Sequence, residues 1–259
     1  MTQPKEAAEQ PRDPTRDLLS LLYFPYNGLV VIPFFGASTL FWGVAAVLSS
    51  RISQRLGFHC GTAWAWSTCR MNFTRVRVSG RERADPRKSY VIMSNHQSHF
   101  DTLAFYGHWG RQFRWVIKDD LRKVPGLGWG CEAVGHIFID RSNRERAIAS
   151  LREASKKLEP GVSIMLFPEG KRSPDGRLQE FKKGGFVMAE EMGLPILPVT
   201  ISGSHRVLPR KTLRLLPGRI DITVHDPIDP ADYGAGQRGQ LMADVRTAIS
   251  RGLGEDERS

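Results

Sequence analysis

Two patterns divide the chain. From Leu18 to Ser50 there are 33 residues and no charge; Arg51 and Arg55 follow, and a second apolar, tryptophan-bearing stretch, LGFHCGTAWAWSTC, runs to Cys69. After residue 73, short apolar runs alternate with stretches of helical spacing. As helix, the uncharged stretch would reach about 50 Å, more than the roughly 30 Å of bilayer hydrocarbon, yet it is short of the approximately 40 residues that two full spans need. It admits a single span, a shallow interfacial or re-entrant helix pair, or a pair of buried core helices. Pro25, Asn27, Gly28 and Pro33 stand as breakers in its first half, and Trp42, Trp64 and Trp66 suit the headgroup level, so the interfacial or re-entrant pair is the favoured expectation.

Beyond residue 73, TRVRVS (74–79), YVIMS (90–94), FRWVIK (113–118), HIFI (136–139), VSIMLF (162–167), ILPVTI (196–201) and RIDITV (219–224) predict strands. Helices are predicted over 143–158, where Ala147, Ile148, Leu151, Ala154 and Leu158 recur at helical spacing, over 184–192 and near 237–251. The alternation predicts an α/β fold: a mixed, mainly parallel central sheet flanked by helices, with an N-terminal membrane-associated helix pair. The expected units are a mobile tail (1–17), a membrane-anchoring helical segment (18–73), an α/β catalytic domain (74–251) and a frayed acidic tail (252–259). The mixed acids and bases of residues 1–17 argue against a signal peptide.

Composition narrows the function. With 259 residues, 41% of them hydrophobic, the chain can bury a core and is not a disordered protein. Lys and Arg total 37 against 27 acids, and the net charge of +10 favours phosphate esters, acidic lipid headgroups or nucleic acid. Nucleic acid is set aside, because the basic residues lie among proline and glycine turns without a recognition helix or stacking platform. Cys60, Cys69 and Cys131 are too few and too irregularly spaced for a disulfide framework or a zinc site, which fits a reducing compartment and implies no metal. Cys131 reads as an ordinary small residue and not as a nucleophile.

The candidate chemistry begins at NHQSHFD (95–101), where a predicted strand gives way to a predicted helix, the sheet end at which α/β folds bind ligands. Across such a turn Asp101 can hold one nitrogen of His96 and leave the other facing substrate, as a general base requires. The alternative is a helix cap, with Asn95 or Ser98 capping and His96 merely polar. His99 has alanine at the equivalent spacing, position 104, and reads as a helix-surface residue.

Three further segments follow: GHIFIDR (135–141), FPEGKRS (167–173) and LPILPVTISG (194–203). In FPEGKRS, Pro168 turns the chain, Gly170 allows close backbone approach, and Lys171 with Arg172 supply positive charge; the alternative is a basic surface turn. In FKKGG (181–185), Lys182 and Lys183 precede two glycines and a helix, so ammonium and backbone N–H groups can both meet a phosphate, unless this too is a solvated basic turn. Together the four blocks resemble those of the glycerolipid acyltransferases, most closely the 1-acylglycerol-3-phosphate acyltransferases, over about residues 75–205. The resemblance implies that Glu169 and Arg172 position a glycerophosphate, that Arg141 contacts it, and that LPILPV shapes an acyl or donor pocket. Asp140 and Arg141 pairing to cap a helix is the other reading of that block. Lys171 departs from the threonine common in this family.

The expected reaction is acyl transfer from an acyl-CoA or acyl carrier protein thioester, with no cofactor beyond that donor, to the sn-2 hydroxyl of 1-acylglycerol 3-phosphate. The expected location is the cytoplasmic face of the inner (cell) membrane. No G-x-S-x-G elbow offers a serine nucleophile, so no acyl-enzyme is needed. Three alternatives stand beside it: acyl transfer to another lysophospholipid or a lyso-ornithine lipid, hydrolysis by the same His96 and Asp101, and a non-catalytic basic module that binds acidic membranes.

Overall fold

The computed structural model describes residues 14–140, 150, 153, 154, 156, 158–210, 212, 215–234 and 236–258. Helix α1 (Pro14–Tyr26), a wide π turn (Asn27–Val31) and α2 (Ile32–Ser50) follow one another without a break. The expected breakers therefore do not divide this stretch. Pro33 falls in the first turn of α2, where a missing N–H costs least. Asn27 is buried and acts as a tether, its amide donating to the Leu215 carbonyl at 2.6 Å. The helix also begins at Pro14, inside residues assigned from composition to the tail.

The helix pair is formed by α2 and α3 (Gln54–Met71), joined by a turn in which Ser53 caps the Arg55 N–H. Its inner side is part of the main core: Ala46, Phe58, Ala65 and Cys69 cluster with Phe105, Tyr106 and Phe113. Burying a ring such as Phe58 contributes about 1.5–3 kcal/mol, so residues 18–73 share one body with the sheet and are not a unit beside it. The outer side is apolar and open, with Leu21 71%, Leu22 70% and Leu29 79% exposed, and Phe41 and Leu48 exposed further along. Leu21–Ser50 is one helix long and apolar enough to cross a membrane by length and composition.

Among the described residues seven strands form one sheet: β1 (Thr74–Ser79), β2 (Val91–Ser94), β3 (Phe113–Lys118), β4 (Ile137–Ile139), β5 (Ser163–Leu166), β6 (Ile196–Ser202) and β7 (Gly218–Val224). Their order is β1-β7-β6-β2-β5-β3-β4. The strands β6, β2, β5, β3 and β4 run parallel, β7 is antiparallel to β6, and β1 is parallel to β7. The strand bounds predicted from the apolar runs hold to within one residue.

In β2, Ile92 faces α4 (Phe100–His108), while Val91 and Met93 face α6 (Gly184–Met192) and α8 (Arg238–Arg251), two cores split by the period of the strand. Helix α5 (Leu127–Val134) backs α2. Most of the predicted helix over 143–158 lies outside the described residues. The C-terminal segment corrects an expectation: Leu253 and Glu257 are buried, so residues 252–258 are docked and not frayed.

Candidate active site

The parallel strands deliver their C-terminal ends to one edge, and β2 ends there at Ser94. Asn95 then latches the following loop to β6, donating to the Ile201 carbonyl at 2.7 Å and accepting from the Ile201 N–H at 2.8 Å. The loop places His96 Nδ1 2.8 Å from Asp101 Oδ2. The same carboxylate oxygen accepts the N–H groups of Gln97 (2.7 Å) and Ser98 (2.8 Å), and Oδ1 accepts the Ser204 hydroxyl. Asp101 has 0% exposure and every bond its carboxylate makes is as an acceptor. That assigns the ring proton to Nδ1 and leaves Nε2 with its lone pair free. Ser98 also accepts from the Phe100 N–H at 3.2 Å at the head of α4, so NHQSHFD holds both a helix-capping hydroxyl and the expected His96–Asp101 pair, on different side chains.

The His96 side chain is 16% exposed and stacks on Phe167, the residue that follows β5. Just beyond it, Glu169 departs from its expected role. It is 2% exposed, with Oε1 accepting the His96 N–H at 2.7 Å and Oε2 the Gln179 N–H at 3.2 Å. Its carboxyl group therefore braces the backbone that carries the imidazole and is turned inward. Burial pushes its pKa up to about 8 against the pull of those two N–H groups.

The rest of the turn faces outward. Gly170 has φ +71, and a Cβ there would lie 3.0 Å from Lys182 Nζ, so the Lys182 side chain lies over this turn. Lys171 is exposed and Arg172 half-buried; the next residue, Ser173, donates its N–H to the His96 carbonyl at 2.7 Å. Burial and the neighbouring Arg210 guanidinium lower the Arg172 pKa. Lys183 is exposed at the head of α6, and Lys182 is the lysine drawn against FPEGKRS. Arg141 lies outside the described residues, and β4 and Asp140 bring the chain to the same edge just before it.

LPILPV, expected to shape an acyl or donor pocket, packs for the most part into the sheet. Ile196, Leu197 and Val199 are fully buried in β6, between β2 and β7. An apolar cavity opens elsewhere, lined by Thr39, Trp42 and Gly43 of α2, Trp64 of α3, Tyr106 of α4 and Leu127 of α5. Cys131 also lines it, its thiol pushed by burial up to about 12 and so no nucleophile. His99 is exposed at the head of α4.

Sequence reasoning missed several contributors. Lys118 ends β3 on the active edge, paired with Asp120; a cation at a strand end was a readable signal. Phe167, Ser204 and Glu257 offered none. Glu257 accepts the Gly203 N–H at 2.8 Å and the Ser202 hydroxyl, and lies 3.2 Å from His205 Nδ1. It thereby fixes the turn that brings Ser204 to Asp101.

Known proteins resemble this chain in sequence and fold. A family model described as Acyltransferase matches residues 75–202. A 1-acyl-sn-glycerol-3-phosphate acyltransferase of Chlamydomonas reinhardtii is 30% identical over 251 residues, covering 96% of this chain and 73% of the relative. The enzyme of that name from Pseudomonas aeruginosa is 31% identical over 216 residues, covering 81% of each. The crystal structure of the 1-acyl-sn-glycerophosphate (LPA) acyltransferase PlsC from Thermotoga maritima superposes with a TM-score of 0.75 at 28% identity, covering 92% of this chain and 95% of that one. With the dyad, the basic turn and the sheet all in place, the chain belongs to the 1-acyl-sn-glycerol-3-phosphate acyltransferase family of acyltransferases.

Proposed function

We propose that the protein transfers a fatty acyl group from an acyl-CoA or acyl carrier protein thioester to the sn-2 hydroxyl of 1-acylglycerol 3-phosphate, yielding phosphatidic acid. The observation that carries this reading is the His96 imidazole, locked through Nδ1 by a buried carboxylate and flanked by the cationic turn at Lys171 and Arg172. Nε2 takes the hydroxyl proton as the acceptor oxygen attacks the thioester carbonyl. The tetrahedral intermediate then collapses, the C–S bond breaks, and the imidazolium returns its proton to the leaving thiolate. Asp101 stabilises the imidazolium between these steps.

No side-chain nucleophile is needed, because the thioester is already activated. The two serines nearest the dyad are committed as donors, Ser98 to the Leu208 carbonyl and Ser204 to Asp101. Arg172 and Lys171 bind the acceptor phosphate, with Arg141 as a further contact by family resemblance. The open apolar side of α1 and α2 rests on the cytoplasmic face of the inner membrane, keeping the strand-end edge at headgroup level, where both amphiphiles are held in register.

The test is purified protein with labelled lysophosphatidic acid, each donor in turn, and a panel of other lysolipids. Labelled phosphatidic acid formed in preference to any other product supports the reading. Faster acylation of lysophosphatidylcholine or a lyso-ornithine lipid, or release of free fatty acid without an acceptor, overturns it.

A further inference from the structure

We infer that Arg210 completes the acceptor site, forming with Arg172 a two-guanidinium clamp that selects a dianionic phosphate monoester over lysolipids whose phosphate is a diester. The inference rests on the acyl-transfer reading above and deepens it. Arg210 lies outside all four sequence blocks, in the segment that follows the short helix α7 (Ser204–Val207).

The chain next to each arginine is tied to the loop that carries the dyad. The Ser173 N–H on the His96 carbonyl, 2.7 Å, holds the chain next to Arg172. The Ser98 hydroxyl on the Leu208 carbonyl, also 2.7 Å, holds the chain two residues before Arg210. Each guanidinium is half-buried, and among the described residues neither forms an ion pair. Other arginines are provided for: Arg206 pairs with Asp256, Arg219 with Asp221, and Arg238 with Glu190.

Arg172 also feels the charge of Arg210. After burial, Arg210 is the main influence depressing Arg172, ahead of the opposing pull of Asp101, which is already engaged by its own donors. Two like charges held partly out of water near one another are unfavourable until an anion joins them. A phosphate monoester carries close to two negative charges at neutral pH and offers three oxygens, enough for two planar forks. A phosphodiester brings one charge, and its second substituent occupies the space that one fork needs.

The full-length protein with Arg210→Gln is assayed against lysophosphatidic acid and a phosphodiester lysolipid, lysophosphatidylglycerol, with thermal unfolding as a check on the fold. Losing charge-assisted bonds predicts a KM for lysophosphatidic acid raised about 10- to 100-fold with kcat within about threefold, and little change for the diester, so selectivity collapses. Arg210→Lys recovers part of the loss, because an ammonium supplies charge without the fork. An unchanged KM for lysophosphatidic acid, or an equal rise for both acceptors, overturns the clamp. Binding of sn-glycerol 3-phosphate by calorimetry separates this from failure of the acyl-transfer reading: tighter binding by wild type than by Arg210→Gln supports the clamp even if no acyl group moves. Equal binding refutes it.

Discussion

The imidazole of His96 lies flat against the ring of Phe167, with centroids 3.7 Å apart and planes 3° from parallel. One edge of the imidazole is pinned by Asp101 and one face by Phe167, which leaves the Nε2 edge a single direction in which to point. Phe167 is itself steadied by Trp115, whose ring centroid is 5.4 Å away.

His96→Ala should retain the unfolding temperature and lose about 100- to 10,000-fold in kcat, the usual contribution of general base catalysis. Phe167→Leu keeps an apolar side chain but removes the flat support. The expected result is a kcat reduced about tenfold by loss of orientation, with KM for either substrate changed less. Steady-state kinetics in both substrates checks this, and a Leu variant with wild-type kcat would remove the stack from the mechanism.

The strand pattern was readable because the central runs are apolar on both faces and end at turn residues, and the dyad because five residues across a strand-to-helix turn bring His96 to Asp101. What sequence could not reveal was direction and distance. Glu169 sits in a motif that looks like a binding turn, yet its side chain points inward to a backbone N–H. Ser204 and Asp101 are 103 positions apart, and no local signal links them. Pro33 read as a break because propensity counts a lost N–H as a loss everywhere, whereas in the first turn of α2 it costs least; Pro25 lies inside α1, and the helix runs through it. The acidic end read as frayed because charge density there conceals the donors that bury Glu257.

Glu257 is expected to show its role through acid. Burial opposes its charge, but hydrogen bonds from His205, Ser202 and the Gly203 N–H outweigh that and hold its pKa down to about 2, against a reference value of 4.5. A depressed carboxyl stabilises the fold above the unfolded value and loses that contribution as pH falls through the folded one. The gap in unfolding free energy between wild type and Glu257→Gln should therefore be about 3 kcal/mol at neutral pH, narrowing between pH 4.5 and pH 2. Chemical denaturation across that range measures it. The same variant should lose kcat, because Ser204 is no longer presented firmly to Asp101.

Glu169 should behave with the opposite sign. Burial raises its pKa from 4.5 to about 8, so the folded state holds a proton that the unfolded chain has released across that interval. Its ionisation thus erodes stability as pH rises from about 4.5 to 8, by an amount on the order of a few kcal/mol. Glu169→Gln has no proton to lose. Relative to wild type it should gain stability between pH 5 and pH 9, while its activity falls because the amide nitrogen turns a donor toward one of the two N–H groups. A stability difference independent of pH would show that the carboxyl does not titrate in this window.

The seating of the helix pair on the catalytic layer is best tested by adding one methyl group. Deleting the pair would uncover Phe58, Ala65 and Cys69 and unfold the body it was meant to isolate. Gly43 of α2 instead meets the backbone of Gly126, just ahead of α5, so closely that a Cβ would overlap the Gly126 carbonyl group. Neither partner is a flexible side chain that could move aside. Gly43→Ala should push α2 off α5 at a cost of about 1–3 kcal/mol and lower the unfolding temperature. It should also reduce turnover of lysophosphatidic acid in vesicles more than in detergent, because the tilt of the pair on the bilayer changes while the dyad does not. Gly36, on the same helix, has open space around its Cβ position. Gly36→Ala should therefore be neutral or up to about 1 kcal/mol stabilising, since alanine is the better helix former. Equal effects of the two substitutions would mean that the close approach at Gly43 does not set the geometry of the pair.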